Sequence, residues 1–208
     1  MKLSRYRTTG FDRGRSAVVE GLWLCVHAVA FARVNPINAS RVAALRLFGA
    51  RIGSGVVIKP GVRVKFPWRL TIGDHSWIGE SVWIDNLAPV TIGSDSCVSQ
   101  GTYLCTGTHD WSRETFDLAT HPISIGEQVW IAARATVGPG VCVGDGAVVT
   151  LGTVVTRSVP PAHICSGALG EQHLQPKIAP PAAPCLGFDG RWPLPVPCEG
   201  KSISRSRL

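Results

Sequence analysis

Every sixth residue of this chain is Ile, Val or Leu over more than half its length. The series runs Ile52, Ile58, Val64; Ile72, Ile78, Ile84; Ile92, Val98, Leu104. After a gap it resumes at Ile125, Ile131, Val137, Val143, Val149 and Val155. Neither a helix nor a half-buried strand requires a period of six. A repeat that short describes a coiled β-helix in which each hexapeptide is one face of a turn. Three hexapeptides close a triangular coil, and coils stack at the ordinary strand spacing of about 4.8 Å. Five coils fit between Ile52 and Pro160.

The fifth position of each hexapeptide is small or β-branched: Val56, Val62, Ser76, Val82, Ala88, Ser96, Thr102 and Thr108, then Val129, Ala135, Val141, Ala147, Thr153 and Val159. Trp68 is the exception. Paired with the sixfold aliphatic, these residues fill a narrow prism. Glycine recurs at the second position (Gly53, Gly73, Gly79, Gly93, Gly126, Gly138, Gly144), where it is expected to let the backbone turn a corner. The irregularities are regular too. The steps Val64 to Ile72, Ile84 to Ile92 and Leu104 to Ile125 all follow the third hexapeptide of a coil, so all lie at one corner. The last inserts 15 extra residues, and a long loop on a rigid scaffold is a place to look for function.

Charge separates the chain. The net +7 resides in residues 1–51, whereas residues 52–160 carry −2 and residues 161–208 carry +2. A nucleic-acid protein places its basic stripe on the folded binding face, so a mildly acidic repeat body argues against that class. Seven scattered cysteines with no C-x-x-C pair suit a reducing compartment, and the cytoplasm is the expected location. Residues 17–34 are apolar, but Glu20, His27 and Arg33 interrupt them, and a spanning helix or signal peptide is disfavoured. They read as a helix capped near Asp12 or Ser16. It packs against the β-helix or lies on the inner face of a membrane, with Arg5, Arg7, Arg13 and Arg15 near anionic headgroups. Residues 36–50 read as a second helix, capped by Ser40 or Asn38 and stopped by Gly49. The expected organisation is a helical arm (1–51), a β-helix (52–167, with loop 105–124) and a Pro-rich extended tail (168–208).

The stretches LRLFGARIGSGVVIKPGVRVKFPWRLTIGD, WIGESVWIDNLAPVTIG, SQGTYLCTGTHDW and FDLATHPISIGEQVWIAARATVGPGVCVGDGAVV, with FDRGRS near the start, resemble the hexapeptide-repeat acetyltransferases. The similarity is to their colanic-acid (exopolysaccharide) biosynthesis O-acetyltransferase branch. It implies a mainly β fold, a left-handed parallel β-helix of hexapeptide repeats with N-terminal helices. It implies acetyl-CoA as cosubstrate, no metal, and a homotrimer with its active site between two subunits. The acceptor is then a sugar or a lipid-linked oligosaccharide.

The resemblance carries roles to particular residues. His109, after T-G-T, matches the family's general base, and His121 at the loop's return competes for that role. Trp130, Ala132, Ala133, Leu151, Gly152, Thr156 and Arg157 match the coenzyme A path, with Ala132 in place of the usual Gly and Arg157 in place of the usual Lys. Asp85 and Asn86, in IDNL, match acceptor contacts. Apart from the resemblance, Trp68, Trp77, Trp83 and Trp111 are candidates for sugar stacking or trimer contacts, Trp111 foremost because it lies beside the loop histidine. Imidazole titrates near neutrality and suits proton abstraction from a sugar hydroxyl. Rival expectations are a three-histidine metal enzyme on the same fold, a non-catalytic β-helix scaffold, and an amino sugar or other small molecule as acceptor.

Overall fold

The computed structural model describes residues 3–6, 10–167 and 170–174; the tail from residue 175 onward lies outside them. The hexapeptide register becomes three parallel sheets. The first face stacks Arg51–Ile52, Leu70–Ile72, Val90–Ile92, Ile123–Ile125 and Cys142–Val143 in that order. The second stacks Val57–Ile58, Trp77–Ile78, Cys97–Val98, Trp130–Ile131, Val148–Val149 and His163–Ser166. The third stacks Arg63–Val64, Trp83–Asp85, Tyr103–Cys105, Thr136–Val137 and Val154–Val155. Each sixfold aliphatic sits on its equivalent one coil away, as in Ile78 on Ile58 and Val98 on Ile78. These side chains are buried almost completely. Each contributes about 1.5–3 kcal/mol of apolar burial, so the ladders hold the prism together.

Three expectations change. The coil itself runs on past Pro160 within the expected β-helix: Val159 pairs with Val143, and His163–Ser166 extends the second face. Glu171–Leu174 then turns back antiparallel on that strand, so the start of the expected tail is a hairpin. The second-position glycines are needed for close stacking instead of for turning. A Cβ on Gly73 would lie 2.5 Å from the Ser94 nitrogen, and one on Gly93 would lie 2.5 Å from the Gly126 carbonyl carbon. The left-handed turn falls two residues later, at His75, Asp95 and Gln128 after Gly73, Gly93 and Gly126, and at Gly55, Gly140 and Gly146 after Gly53, Gly138 and Gly144. Finally, Thr108 points outward and Thr106 is the buried threonine there, because the chain leaves the coil one step earlier than the register suggests.

Two helices close the first coil. Helix α1 (Ala17–Ala30) is capped by Ser16, whose side chain accepts from the Val19 amide. Trp23 is 1% exposed and donates from its indole to the Val64 carbonyl, while His27 Nε2 bonds the Val62 carbonyl. The opposite side of α1 is uncovered: Val18, Leu22, Cys25 and Val29 are exposed, spaced as one helical stripe. Helix α2 (Asn38–Leu47) lacks the expected side-chain cap. Asn38 instead spends its amide on the first coil, accepting from the Ile58 amide and donating to the Val56 carbonyl. Arg41, buried, donates to the Ile58 carbonyl, and Arg46 to the Ile52 and Gly53 carbonyls. These polar groups do for the first coil what a preceding coil would have done.

Candidate active site

The 15-residue insertion folds as an antiparallel hairpin, Gly107–His109 against Leu118–Thr120. Its tip is stapled by the Asp110 amide on the Asp117 carbonyl and by Arg113 between the carboxylates of Asp110 and Asp117. The base is held by Thr106, buried, whose hydroxyl donates to the Asp85 carbonyl and accepts from the Ala88 amide. His109 is therefore fixed from both strands.

The imidazole of His109 is half-buried, and its Nδ1 lies 2.9 Å from the Phe116 carbonyl. A carbonyl only accepts, so Nδ1 carries the proton and the neutral ring keeps Nε2 as its basic nitrogen. The Phe116 ring lies flat on the imidazole, with centroids 4.2 Å apart and planes 2° apart. Phe116 holds a left-handed backbone (φ 51°) rare for a bulky residue; that turn aims its carbonyl at Nδ1. The ring of Tyr6 meets His109 edge-on at 5.7 Å, and Arg5 pairs with Glu114 on the hairpin. The N-terminal arm thus reaches the hairpin, a contact across more than 100 residues of sequence that no local signal reveals.

A second feature lies at the corner that follows the second face. A groove of ≈ 370 Å³ is lined by Ser99, Gln100, Trp130, Ala132, Ala133, Val148, Thr150 and Leu151. Trp130 is half exposed and its indole donates to Ser99 Oγ at 3.0 Å, which sets the ring as a wall. Ala132 and Ala133 leave the floor open. An apolar channel with a few polar edges suits a thin flexible chain carrying amides.

The hexapeptide repeat of succinyl-transferase matches residues 69–105 and 122–157. The colanic acid biosynthesis acetyltransferase WcaF of Escherichia coli (strain K12) is 44% identical over 156 residues, covering 74% of this chain and 86% of that protein. The chain belongs to the hexapeptide-repeat acyltransferases. Galactoside O-acetyltransferase of Escherichia coli (strain K12) is 29% identical over 121 residues, 57% of this chain and 60% of that protein. Among solved structures, a hexapeptide-repeat acetyltransferase, VCA0836, of Vibrio cholerae O1 biovar eltor, determined with acetyl coenzyme A, superimposes with a TM-score of 0.71. It is 25% identical, over 81% of this chain and 94% of that one.

Within this acyltransferase the expected site residues separate into groups. Trp130, Ala132, Ala133 and Leu151 line one groove, and Gly152 follows at its corner with φ +67°. Thr156 and Arg157 are exposed beyond the last strand of the third face and do not line it. His121 is exposed where the hairpin rejoins the coil, its amide on the Thr106 carbonyl. Trp111 is 79% exposed at the hairpin tip.

Asp85 lies on the third face one coil below the hairpin. Tyr103 donates to its Oδ2 at 3.1 Å. Its buried Oδ1 faces Lys65 Nζ at 3.2 Å yet makes no hydrogen bond among the described residues. Burial, then Cys105 and Asp85, push the Tyr103 phenol well above its ordinary range, so it stays a donor. Asn86 is placed differently from the expectation. It is 0% exposed, and its amide both accepts from the Phe66 amide (2.9 Å) and donates to the Phe66 carbonyl (2.6 Å). It lies inside, where it ties one corner to the next and is closed off from solvent.

Proposed function

We propose that this chain transfers the acetyl group of acetyl-CoA to a hydroxyl of a sugar in exopolysaccharide or lipid-linked oligosaccharide biosynthesis. The observation that carries the reading is the His109 imidazole, with Nδ1 on a carbonyl, Nε2 basic, and the ring clamped by Phe116. In that state His109 takes the proton of an acceptor hydroxyl, whose oxygen attacks the thioester carbonyl. His109 then returns the proton to the departing thiolate. Trp130, Ala132, Ala133, Leu151 and Gly152 hold the coenzyme's thiol arm, and Thr156 and Arg157 meet its phosphates farther along. The Asp85–Tyr103 pair and Trp111 meet the sugar. The relatives' names, colanic acid biosynthesis acetyltransferase and galactoside O-acetyltransferase, support a sugar acceptor.

The groove and His109 project from different edges of the prism. The third face separates them, so the hairpin of one copy and the groove of another complete the site in a homotrimer. Sedimentation equilibrium of the purified protein tests this, and a monomer active at all dilutions overturns it.

Location is cytoplasmic, at the inner face of the membrane. The support is the exposed stripe Val18, Leu22, Cys25 and Val29 of α1, beside a basic arm. Among the described residues no helix is long and apolar enough to cross a membrane. Leu22→Glu with Val29→Glu should abolish sedimentation with anionic vesicles; unchanged sedimentation refutes the contact.

The central test incubates purified protein with acetyl-CoA and a panel of sugars. Thiol release should accompany one added acetyl on a sugar oxygen by mass spectrometry. Release of thiol with acetylation only on nitrogen would move the reading to amino sugars. Absence of release with every acceptor would favour the scaffold.

A further inference from the structure

A second cavity, ≈ 430 Å³, opens at the same corner as the catalytic hairpin but nearer the first coil. It is lined by Arg15, Arg51, Trp68, Arg69 and Thr71, with Gly49, Leu70 and Pro89. Three arginines converge there, and among the described residues no carboxylate lines it. The acids of the neighbouring arm are already engaged: both Glu20 oxygens hold Arg13 at 2.6 Å, and Asp12 Oδ1 accepts from the Gly14 amide. Arg69 is fixed, its terminal nitrogens on the Leu87 and Asp12 carbonyls and its plane near the rings of Phe11 and Phe66. Trp68 is fixed as well, donating to the Arg13 carbonyl at 2.9 Å. Gly14 makes that approach feasible: a Cβ there would sit 3.0 Å from the indole nitrogen. Arg15 and Arg51 are exposed and have no hydrogen-bond or ion-pair partner among the described residues. The cavity therefore presents two unsatisfied guanidinium groups against a rigid wall of a third.

The cavity and His109 are physically joined. Arg69 donates to the carbonyl of Leu87, and Leu87 packs against Gly107, where a Cβ would lie 2.7 Å from Leu87 Cδ1. Gly107 opens the strand that carries His109. The arm runs the same course, from Arg13 on Trp68 to Tyr6 on His109. Trp68 and Gly107 belong to corners two coils apart, roughly 10 Å along the axis. That is the scale of a short glycosyl unit.

We infer that this cavity is the subsite for a diphosphate carried by the acceptor, so that the sugar presented to His109 is activated or carrier-linked. The inference rests on the acyl-transfer reading of the same corner. Guanidinium forks match phosphate oxygens bidentately, and several together suit a doubly charged group better than a single carboxylate. The indole of Trp68 offers a flat wall to the first sugar ring or to a base. The diphosphate can come from a nucleoside diphosphate sugar or from a prenyl diphosphate sugar.

The test uses the full chain and the variant Arg15→Ala with Arg51→Ala. Both side chains lack partners in the fold, and Arg69 is spared because it holds the corner. Inorganic pyrophosphate is the binding probe, followed by calorimetry. Acetyl transfer is then compared for one sugar as its methyl glycoside, its nucleoside diphosphate, its prenyl diphosphate and a uronate-bearing disaccharide. The wild type should bind pyrophosphate competitively with acceptor. It should also prefer a diphosphate-bearing acceptor over the methyl glycoside by about tenfold or more per guanidinium engaged. The variant should lose both. A preference for the nucleoside or for the prenyl compound identifies the source, and either supports the subsite. Equal pyrophosphate binding by wild type and variant, equal use of the methyl glycoside, or the same gain from the uronate overturns it. If pyrophosphate binds but no acceptor releases thiol, the acyl-transfer reading fails and the anion site stands.

Discussion

The corner that follows the second face and the corner that follows the third differ in how they are made. The first keeps the hexapeptide register through every coil, so its groove is a product of repetition. Ser99, Ala132 and Thr150 occupy equivalent places, and only Trp130 breaks the monotony. The second corner departs from the register three times, and each departure recruits a contact the repeat cannot supply. Pro67–Arg69 brings Trp68 to the arm. Asn86 ties two corners together, and the hairpin lifts His109 away from the prism. Repetition makes the groove lined by Trp130, and interruption makes the corner that carries His109.

His109→Ala should break the second corner's chemistry most severely. Its kcat should fall by about 10²–10⁴, with the thermal melt unchanged, because the imidazole is half-buried and holds up no coil. Near-normal turnover in a purified assay would remove His109 from the mechanism. Asn86→Ala should be felt as stability. It leaves the buried amide of Phe66 unpaired, while the Phe66 carbonyl keeps the Arg69 amide, a loss of about 1–3 kcal/mol, read as a lower Tm. An unchanged Tm with a raised acceptor KM would return Asn86 to the sugar site.

At the first corner, Trp130→Ala should raise the KM for acetyl-CoA by about tenfold and leave kcat nearly unchanged, as expected when a wall is lost equally from ground and transition states. A collapse of kcat alone would mean that the indole acts on the reacting atoms. The smallest effect concerns pH and lies far from either corner. Burial, outweighing the Val62 carbonyl and aided by Arg63, lowers the His27 pKa. Below its ordinary value near 6.5, the unfolded chain therefore binds more protons than the folded one. Stability is complete above that pH and falls as pH drops toward the lowered value. His27→Gln keeps a donor for the Val62 carbonyl and should flatten this acid loss of Tm; an equally steep loss assigns it to other groups.

The same contrast explains what could be read from the sequence. The ladders were legible because their spacing is the structure: Ile58, Ile78 and Val98 stack as their numbers say. Resemblance grouped Trp130, Ala132, Ala133 and Leu151, and the coil sets these four along one groove. The hand of the coil came from resemblance alone, because the spacing is the same for either hand. The glycines were misread in purpose. Close packing at Gly93 and turning at Asp95 are two demands that a one-dimensional pattern merges. Asn86 was misread because an Asx residue beside a corner looks exposed, and only its contact with Phe66 places it inside. Tyr6, Phe116 and the Trp68–Arg13 bond had no local signal at all. Each joins segments by tertiary contact, and nothing in the repeat specifies where an arm outside it will lie.

The polar side chains of α2 also have a consequence for length. A stack of parallel strands has no intrinsic reason to stop, since each finished coil offers a row of amides and carbonyls to the next. Asn38, Arg41 and Arg46 occupy that row at the beginning, and the reversed strand Glu171–Leu174 lies along the last strand of the second face. The beginning is thus terminated by groups that bond like another coil but cannot be preceded by one, and at the end the second face passes to a strand of reversed direction. The molecule is a polymerisable lattice that carries its own chain terminators, and its finite size is set by them as much as by the number of repeats.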